Sequence, residues 1–206
     1  NEWSSSNEII ERVQNVKSIR SNSKRKATRL LANQPYLFGE IRQPSSNFIL
    51  IPRVSSSRRE YIPIGFFNKD SIAGDSCILI PDGTLEIFSI LNSSVHMVWV
   101  KNICGRLKDD YRYSIEIVYN NFPFVKIDEI DKSKLSDLSN LILEFRKNSD
   151  QTLETLYNPL LMPIELRRIH EKINKLVYKI YDLPSDTTDA EIMSKLFKLR
   201  KERSLL

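Results

Sequence analysis

Glycine is scarce in this sequence. The chain of 206 residues has five glycines, at positions 39, 65, 74, 83 and 105, and no two of them lie within three residues of each other. A glycine-rich cofactor loop needs closely spaced glycines, because only a backbone without side chains can approach the cofactor closely. The glycine pattern therefore argues against a free-standing methyltransferase. Binding of S-adenosylmethionine by this chain would favour that alternative.

Cysteine and histidine are equally rare, with two of each. Cys77 and Cys104 stand apart in apolar surroundings, and we predict buried reduced thiols rather than a disulfide. His96 and His170 have no cysteine, histidine or carboxylate neighbour at the spacing of metal ligands, so the sequence supports no metal site. For His96, beside apolar residues, we predict a hydrogen-bonded structural role.

Long apolar runs are also missing. No run approaches the roughly 18 residues that span a bilayer, and no signal peptide opens the chain. We therefore expect a cytoplasmic protein with no membrane partner. The first residue is Asn1 rather than methionine, which suggests a piece of a longer protein whose functions are divided between this piece and other domains.

The stretch Asn-Phe-Pro-Phe at 121–124 approaches a catalytic motif and departs from it at one position. Amino-methyltransferases hold a flipped base with Asn-Pro-Pro-aromatic, in which consecutive prolines fix the backbone. Phe122 replaces the first of these prolines. We predict instead that Phe122 and Phe124 are apolar anchors between a sheet region and the helices that follow.

A second near-match lies at 81–88. Asp82 and Glu86 resemble the carboxylates of divalent-metal nucleases, but Phe88 stands where such a site needs a lysine to polarise the attacking water. Asp82 lies in a Pro-Asp-Gly sequence, which is typical of a turn. The sequence therefore predicts a structural aspartate here.

Positive charge is what the sequence has in excess, with a net charge of +5. The acidic residues gather between 128 and 150, whereas the front half contains three basic clusters. These are Lys17, Arg20, Lys24, Arg25, Lys26 and Arg29; Arg53, Arg58 and Arg59; and Lys101, Arg106, Lys108 and Arg112. This asymmetry indicates a polyanionic partner, most often nucleic acid, with a merely solvated basic surface as the alternative.

Hydrophobic spacing and turn residues predict an α+β fold. We expect a short-stranded, twisted antiparallel sheet or partial barrel with flanking helices, followed by a helical C-terminal part. The predicted helices span 4–32 with a break at 21–23, 92–107, 131–147, 163–182 and 188–202, and the predicted strands span 47–54, 60–67, 76–83 and 85–91. We divide the chain into residues 1–127, with the basic helix and the sheet region, and the helical region 128–206.

The stretch "RLKDDYRY" at 106–113 has the side chains that a base-pair contact in the DNA major groove needs. Lysine or arginine donates to guanine, and aspartate or glutamate accepts from cytosine. If the stretch is extended, Lys108 and Asp110 lie on the same side and can address one G·C pair, while Arg106 and Arg112 face phosphates. The alternative is a solvated turn.

Several ordered blocks resemble the target recognition domain of MmeI-like enzymes, single-chain proteins that join a nuclease, an adenine-N6 methyltransferase and a recognition domain. The blocks are "LFGEIRQP" (37–44), "ILIPRVSSSRREYIPIGFF" (49–67), "HMVWVKNICGRLKDDYRYS" (96–114), "IVYNNFPF" (117–124) and "LYNPLLMPIELRRIHEKIN" (156–174). The resemblance implies that this piece follows a methyltransferase domain and selects the DNA sequence that is modified and cut. It also implies that Lys108 contacts a guanine and Asp110 the paired cytosine.

The same resemblance implies the partners. These are double-stranded DNA and an upstream methyltransferase domain of the same chain; S-adenosylmethionine and a divalent metal belong to the missing domains, and no cofactor belongs to this piece. We expect the DNA backbone to be held by Lys24, Arg25, Lys26, Arg53, Arg58, Arg59, Arg106 and Arg112. The alternative is a protein-interaction module in which the helical half binds a partner and the basic surface is incidental.

Overall fold

The structure is a computed structural model that describes residues 6–203. The helices are α1 (Asn7–Ser21), α2 (Lys26–Leu30), α3 (Leu85–Leu91), α4 (Ser94–Ile103), α5 (Glu129–Lys147), α6 (Leu153–Leu156), α7 (Ile164–Ile180) and α8 (Asp189–Arg203). The strands are β1 (Phe48–Pro52), β2 (Val54–Ser55), β3 (Gly65–Phe67), β4 (Cys77–Pro81), β5 (Gly105–Leu107) and β6 (Asp110–Arg112). A 3₁₀ turn spans Leu31–Asn33 and a π-helix spans Ile115–Tyr119. The chain divides into two compact units, Asn1–Gln43 and Pro44–Leu206.

In the first unit an arginine of α1 binds the segment that follows α2. Residues 22–25 separate α1 from α2, which confirms the predicted break, and the predicted helix start at residue 4 lies outside the described residues. The guanidinium of Arg20 donates to the carbonyl oxygens of Leu31, Gln34 and Leu37, at 3.1, 3.0 and 2.8 Å. Part of the basic cluster at 17–29 therefore serves the folding of this unit.

The strands of the second unit form two three-stranded antiparallel sheets, in the orders β3-β1-β4 and β2-β6-β5. In the first sheet Ile49 of β1 pairs with Phe66 on one side and Ile80 on the other. Pro52 and Pro81 lie at the ends of β1 and β4, as expected for residues that cannot donate a ladder hydrogen bond. The α+β class with short antiparallel strands is confirmed, and the sheets of residues 6–203 do not close into a barrel.

The prediction of a strand at residues 85–91 is wrong, because these residues form α3. This helix packs closely against α5 through small hydroxyl residues. The Ser89 hydroxyl donates to the carbonyl of Leu135 at 2.8 Å, and the Ser139 hydroxyl donates to the carbonyl of Leu85 at 2.6 Å. A short apolar run fits strand and helix spacing equally well, and packing between distant segments decides the conformation here.

The C-terminal half is helical, as predicted for 131–147, 163–182 and 188–202, and α5, α7 and α8 begin and end within two residues of those bounds. The buried side chains of α5 and α7 include Leu135, Ile142, Leu166 and Ile173. The buried core extends across residue 127, so the division of the chain at that point stays a prediction. Among residues 6–203 no helix has the length and apolarity to cross a membrane.

Candidate nucleic-acid interface

A β-hairpin carries the predicted base-contacting residues. The helix α4 ends at Ile103, earlier than predicted, and β5 and β6 follow, joined by the two-residue turn Lys108–Asp109. Lys108 has a φ of 55°, a left-handed conformation that side-chain-bearing residues seldom adopt. The alternative of a turn is therefore observed at Lys108–Asp109, and the extended stretch that would place Lys108 and Asp110 on one side is interrupted there. Lys108 lies exposed at the tip of the hairpin, and Asp110 follows at the first position of β6.

The two faces of the hairpin differ in exposure. Arg106 pairs with Tyr111, and Leu107 pairs with Asp110. Because side chains alternate along a strand, Arg106 and Tyr111 share one face, whereas Asp110 and Arg112 share the other. Tyr111 is 4% exposed, and Leu107 is 50% exposed. The face that carries Leu107, Asp110 and Arg112 is therefore the more exposed one, which we call the open face. Arg106 lies on the opposite, covered face, together with the buried Tyr111.

Arg106, on the covered face, stabilises the turn through hydrogen bonds. Its guanidinium donates to the carbonyl oxygen of Asp109 in the turn and to that of Lys101 near the end of α4, both at 3.1 Å. The guanidinium carbon also lies 4.3 Å from the centre of the Tyr111 ring, a cation–π contact. Arg106 therefore connects the end of α4, the strand β6 and the turn that carries Lys108.

The segment 56–60, which we call the arginine loop, lies beside this hairpin. The backbone of Ser57 makes two hydrogen bonds to the hairpin. Its amide donates to a carboxylate oxygen of Asp110 at 3.3 Å, and its carbonyl accepts from the Tyr111 hydroxyl at 3.4 Å. Arg59 donates to the hydroxyl of Ser55 at 3.4 Å, and Arg58 is exposed. The loop and the hairpin thus form one local structure.

Arg53 lies next to the same small sheet. It lies between β1 and β2, its carbonyl accepts from the amide of Tyr113 at 2.8 Å, and its amide donates to the carbonyl of Ser76 at 2.9 Å. Its side-chain Nε donates to the carbonyl of Asp75 at 2.9 Å. The structure therefore brings together Arg53, Arg58, Arg59, Arg106, Lys108, Asp110 and Arg112, which the sequence presented as two separate clusters.

The other predicted backbone contacts, Lys24, Arg25 and Lys26, lie in the first unit. They occupy the end of the bend between α1 and α2 and the first position of α2, and all three are exposed. Arg29, in α2, donates to the carbonyl oxygens of Ser23 and Lys24 in the bend, at 2.9 and 3.0 Å. The bend and the start of α2 thus expose three cations, and the hydrogen bonds of Arg29 stabilise the backbone of the bend.

Asn121 and Phe122 have structural roles. The Asn121 amide nitrogen donates to the carbonyl oxygens of Glu116 and Ile117, at 2.6 and 3.1 Å, and its oxygen accepts from Arg200 at 2.6 Å. Both ends of this amide are therefore engaged within the fold. Phe122 is fully buried, as predicted for an apolar anchor, with its ring against those of His96, Trp99, Phe124 and Tyr181.

Asp82 and His96 also have the structural roles that the sequence predicts. Asp82 lies in a turn with a φ of 54° and accepts from the hydroxyl of Ser46 at 2.6 Å. His96 is buried, with Nδ1 2.9 Å from the carbonyl of Leu91 and Nε2 3.0 Å from the hydroxyl of Tyr113. Burial lowers the pKa of His96 to about 4, so the ring is neutral at physiological pH.

Within residues 6–203 no group of three or more histidine, cysteine, aspartate or glutamate side chains has the geometry of a metal site. Both thiols are free; Cys104 is buried, as predicted, whereas the prediction of a buried thiol is wrong for Cys77, which is half-buried. What the sequence did not indicate is the role of Ser57 and Tyr111 in joining the arginine loop to the hairpin. The run Ser-Ser-Ser-Arg-Arg has no periodicity that predicts a partner strand.

Comparison with known proteins assigns both halves of the chain. Residues 1–126 match the family described as "MmeI, target recognition domain", and residues 127–205 match "MmeI, C-terminal domain". DNA methyltransferase A of Bacillus subtilis (strain 168) is 38% identical over 194 residues, which are 94% of this chain and 22% of that protein.

Among solved structures, the Type IIL restriction-modification enzyme MmeI in complex with DNA is similar, with a TM-score of 0.86 and 34% sequence identity. The similarity covers 96% of this chain and 27% of that chain. The present chain therefore spans about a quarter of the length of the relatives it matches. It belongs to the MmeI family, in which it corresponds to the target recognition domain followed by the C-terminal domain.

Proposed function

We propose that this chain selects the DNA sequence on which a restriction–modification enzyme acts, and that its recognition element is the hairpin β5–β6 with the adjoining arginine loop. The observation that carries the proposal is the clustering of cations around one exposed hairpin, in a chain that matches a target recognition domain along 126 residues. Clustered cations of this kind attract the phosphate backbone. The major groove is wide enough to admit a two-stranded β-ribbon, and β5 and β6 form such a pair, with β5 as the edge strand of its sheet.

Lys108 and Asp110 are proposed to contact one base pair. Lys108 stands at the tip of the hairpin, where its ammonium can donate to O6 and N7 of guanine. Asp110 lies on the open face, and its carboxylate accepts one bond from Ser57. A carboxylate has acceptor capacity beyond one bond, so it can also accept from the amino group of cytosine.

The proposed backbone contacts are Arg53, Arg58, Arg59, Arg106 and Arg112 around the hairpin, and Lys24, Arg25 and Lys26 in the first unit. Arg58 is exposed in the arginine loop, and Arg112 is exposed in β6. Two donors of Arg106 already form hydrogen bonds to carbonyl oxygens within the fold. Its contribution to a phosphate contact therefore comes from its charge and its remaining donors.

The chemistry itself is proposed to reside outside this chain, in an upstream domain with adenine-N6 methyltransferase activity and in a nuclease that uses a divalent metal. S-adenosylmethionine is the methyl donor in this proposal. The residues described here do not fit either group, since no glycine among them has a positive φ and no metal-binding cluster exists within 6–203. A cytoplasmic location follows from this proposal, because the substrate is cellular DNA.

The decisive experiment exchanges the donor and acceptor of the proposed base contact. The full-length protein that contains this chain is expressed with Lys108→Glu and Asp110→Arg, and the methylated sequence is read from the DNA of the cells. We expect the modified sequence to change at one base pair. Equal loss of modification at all sequences contradicts the base-contact role. A matched control applies the same charge changes to Lys147 and Asp150, which are exposed at and beyond the end of α5.

A second candidate function has one observation in its favour. Large apolar side chains are exposed between α6 and α7 and at the first residue of α7, with Leu160 92%, Leu161 57% and Ile164 63% exposed. Such a surface is typical of a protein-interaction module. Salt dependence separates the two functions, because about six phosphate contacts give a log–log slope of DNA affinity on salt of about −5. A flat response favours the interaction module.

A further inference from the structure

The arginine loop continues directly into a segment that is bound to the C-terminal helices. Glu60, at the end of the loop, forms an ion pair with Arg167 of α7. The next residue, Tyr61, is buried, and its hydroxyl accepts from the side-chain amide of Asn174 at 2.8 Å. Its ring stacks on the imidazole of His170, with 4.1 Å between the ring centres. Three successive turns of α7 thus hold two adjacent residues.

The α7 side chains that hold this segment are themselves fixed. His170 is fully buried, with Nδ1 2.9 Å from the carbonyl of Asn92 and Nε2 2.8 Å from the hydroxyl of Tyr157. Asn174 accepts from the backbone amide of Ser94, at the start of α4, at 2.7 Å. Buried polar groups with all partners in place allow little movement. Tyr61 therefore rests on a rigid support.

A third helix holds the same segment further along. The guanidinium of Arg146, in α5, donates to the carbonyl oxygen of Ile64 at 2.6 Å and also bonds the hydroxyl of Tyr157. Ile62 and Ile64 are buried. Residues 60–64 are thus attached to α5 and α7 by an ion pair, by side-chain hydrogen bonds and by packing.

The opposite end of the arginine loop is attached to the hairpin, through the bonds of Ser57 to Asp110 and Tyr111. Arg58 and Arg59 lie between these two attachments. A short segment fixed at both ends has few conformations left, so its side chains meet a ligand without a further loss of backbone entropy.

We propose that α7 is a positioning element for DNA recognition, in which Arg167, through Glu60, holds the arginine loop in register with the hairpin. The C-terminal helical region then contributes to sequence selection without contacting DNA through these residues. This inference rests on the proposed function. It differs from it in naming residues outside the hairpin that determine how well the site discriminates.

The first test needs no DNA. Hydrogen exchange is measured for the amides of residues 57–60 in the full-length protein and in its Arg167→Gln variant. We expect exchange to become about two- to fivefold faster, the range for loss of a partly exposed ion pair. Arg168→Gln is the matched control, since Arg168 is exposed on the same helix and outside this set of contacts. Unchanged exchange in Arg167→Gln overturns the proposal.

The second test measures discrimination. Cells express the full-length protein, its Arg167→Glu variant, or the double variant Glu60→Arg with Arg167→Glu, and methylation is compared between the modified sequence and its single-mismatch versions. We expect Arg167→Glu to lower the ratio by about two- to fivefold, by the same loss of the pair, and the double variant to recover it. Arg168→Glu controls for the change of charge alone.

The outcomes of the two tests separate the inference from the proposed function. A wild-type protein that modifies no defined sequence refutes the proposed function, and the exchange measurement alone then decides whether Arg167 holds the loop. Sequence-specific wild-type modification, with an unchanged ratio in Arg167→Glu, overturns the inference and leaves the proposed function in place. Failure of the double variant to recover the ratio also overturns it, because the two residues would not act as a pair.

Discussion

Arg106 lies across the ring of Tyr111, with its guanidinium carbon 4.3 Å from the ring centre. The same guanidinium donates to the carbonyl oxygens of Lys101 and Asp109. One planar group thus joins a helix end, a strand and a turn. A lysine retains the charge but lacks the fork of donors, so this site distinguishes the two basic residues.

We predict that Arg106→Lys lowers the free energy of unfolding by about 1 kcal/mol, from loss of a hydrogen bond and of part of the cation–π contact. Urea unfolding of the chain measures this change as a lower midpoint with an unchanged slope. Arg112→Lys, on the opposite and open face of the hairpin, serves as the control and changes stability by less than about 0.5 kcal/mol. Equal effects of the two variants contradict the role assigned to Arg106.

Local sequence patterns predict those elements that have one apolar and one polar face. In α7 the apolar residues Leu166, Ile169 and Ile173 recur at helical spacing, and the helix forms at the predicted place. The run at 85–91 has only two polar residues, Glu86 and Ser89, and is too short for its spacing to distinguish a helix from a strand. Its helical form depends on contact with α5, which local sequence does not contain.

The sequence shows the basic clusters of the candidate site, but it does not predict that they lie side by side in the fold. They meet because Val54 pairs with Arg112 and Ser55 pairs with Tyr111, residues that are distant in the chain. The turn at Lys108–Asp109 is an open alternative in the sequence, because nothing in the local sequence decides between it and an extended stretch. Lys108 adopts a positive φ, which Asn-Gly or Asp-Gly would have indicated, whereas Lys-Asp gives no such signal.

Phe122 provides a test of the structural interpretation of residues 121–124. Its ring is fully buried among other aromatic rings, so Phe122→Ala leaves a cavity and is expected to lower the free energy of unfolding by about 3–5 kcal/mol. Urea unfolding gives the value. Phe38→Ala is the control, since Phe38 is exposed and its truncation leaves no cavity. A change below about 1 kcal/mol for Phe122→Ala contradicts the anchor role.

The two histidines predict a loss of stability on mild acidification. Burial lowers the pKa of His96 to about 4 and that of His170 to about 3, against an ordinary value of 6.5. Between pH 6.5 and about 4 the unfolded chain binds protons that the folded chain does not. The stabilisation is therefore complete above pH 6.5 and declines as the pH falls, by about 1.4 kcal/mol per pH unit for each histidine.

Urea unfolding between about pH 7.5 and pH 5 measures this dependence on the histidines. The carboxylates with lowered pKa values, Asp131 beside Lys179 and Glu191 beside Thr188, titrate below this window because their ordinary values are 3.8 and 4.5. Their own contribution is lost only at lower pH, as the pH falls through the folded pKa. A stability that stays constant from pH 7.5 to pH 5 contradicts neutral, buried histidines.

Lys108 allows its role in the fold to be separated from its role in recognition. Its φ of 55° costs a side-chain-bearing residue about 1–2 kcal/mol, whereas glycine adopts it without strain. We expect Lys108→Gly to leave the free energy of unfolding unchanged or slightly raised, and Lys108→Val to lower it, because a β-branched residue fits this conformation poorly. If the side chain contacts guanine, the glycine variant keeps the hairpin but loses about 1–3 kcal/mol of discrimination at one base pair. Methylation by the full-length protein at sites that differ only in that pair measures this loss, and a folded glycine variant that discriminates as well as the wild type shows that Lys108 contacts no base.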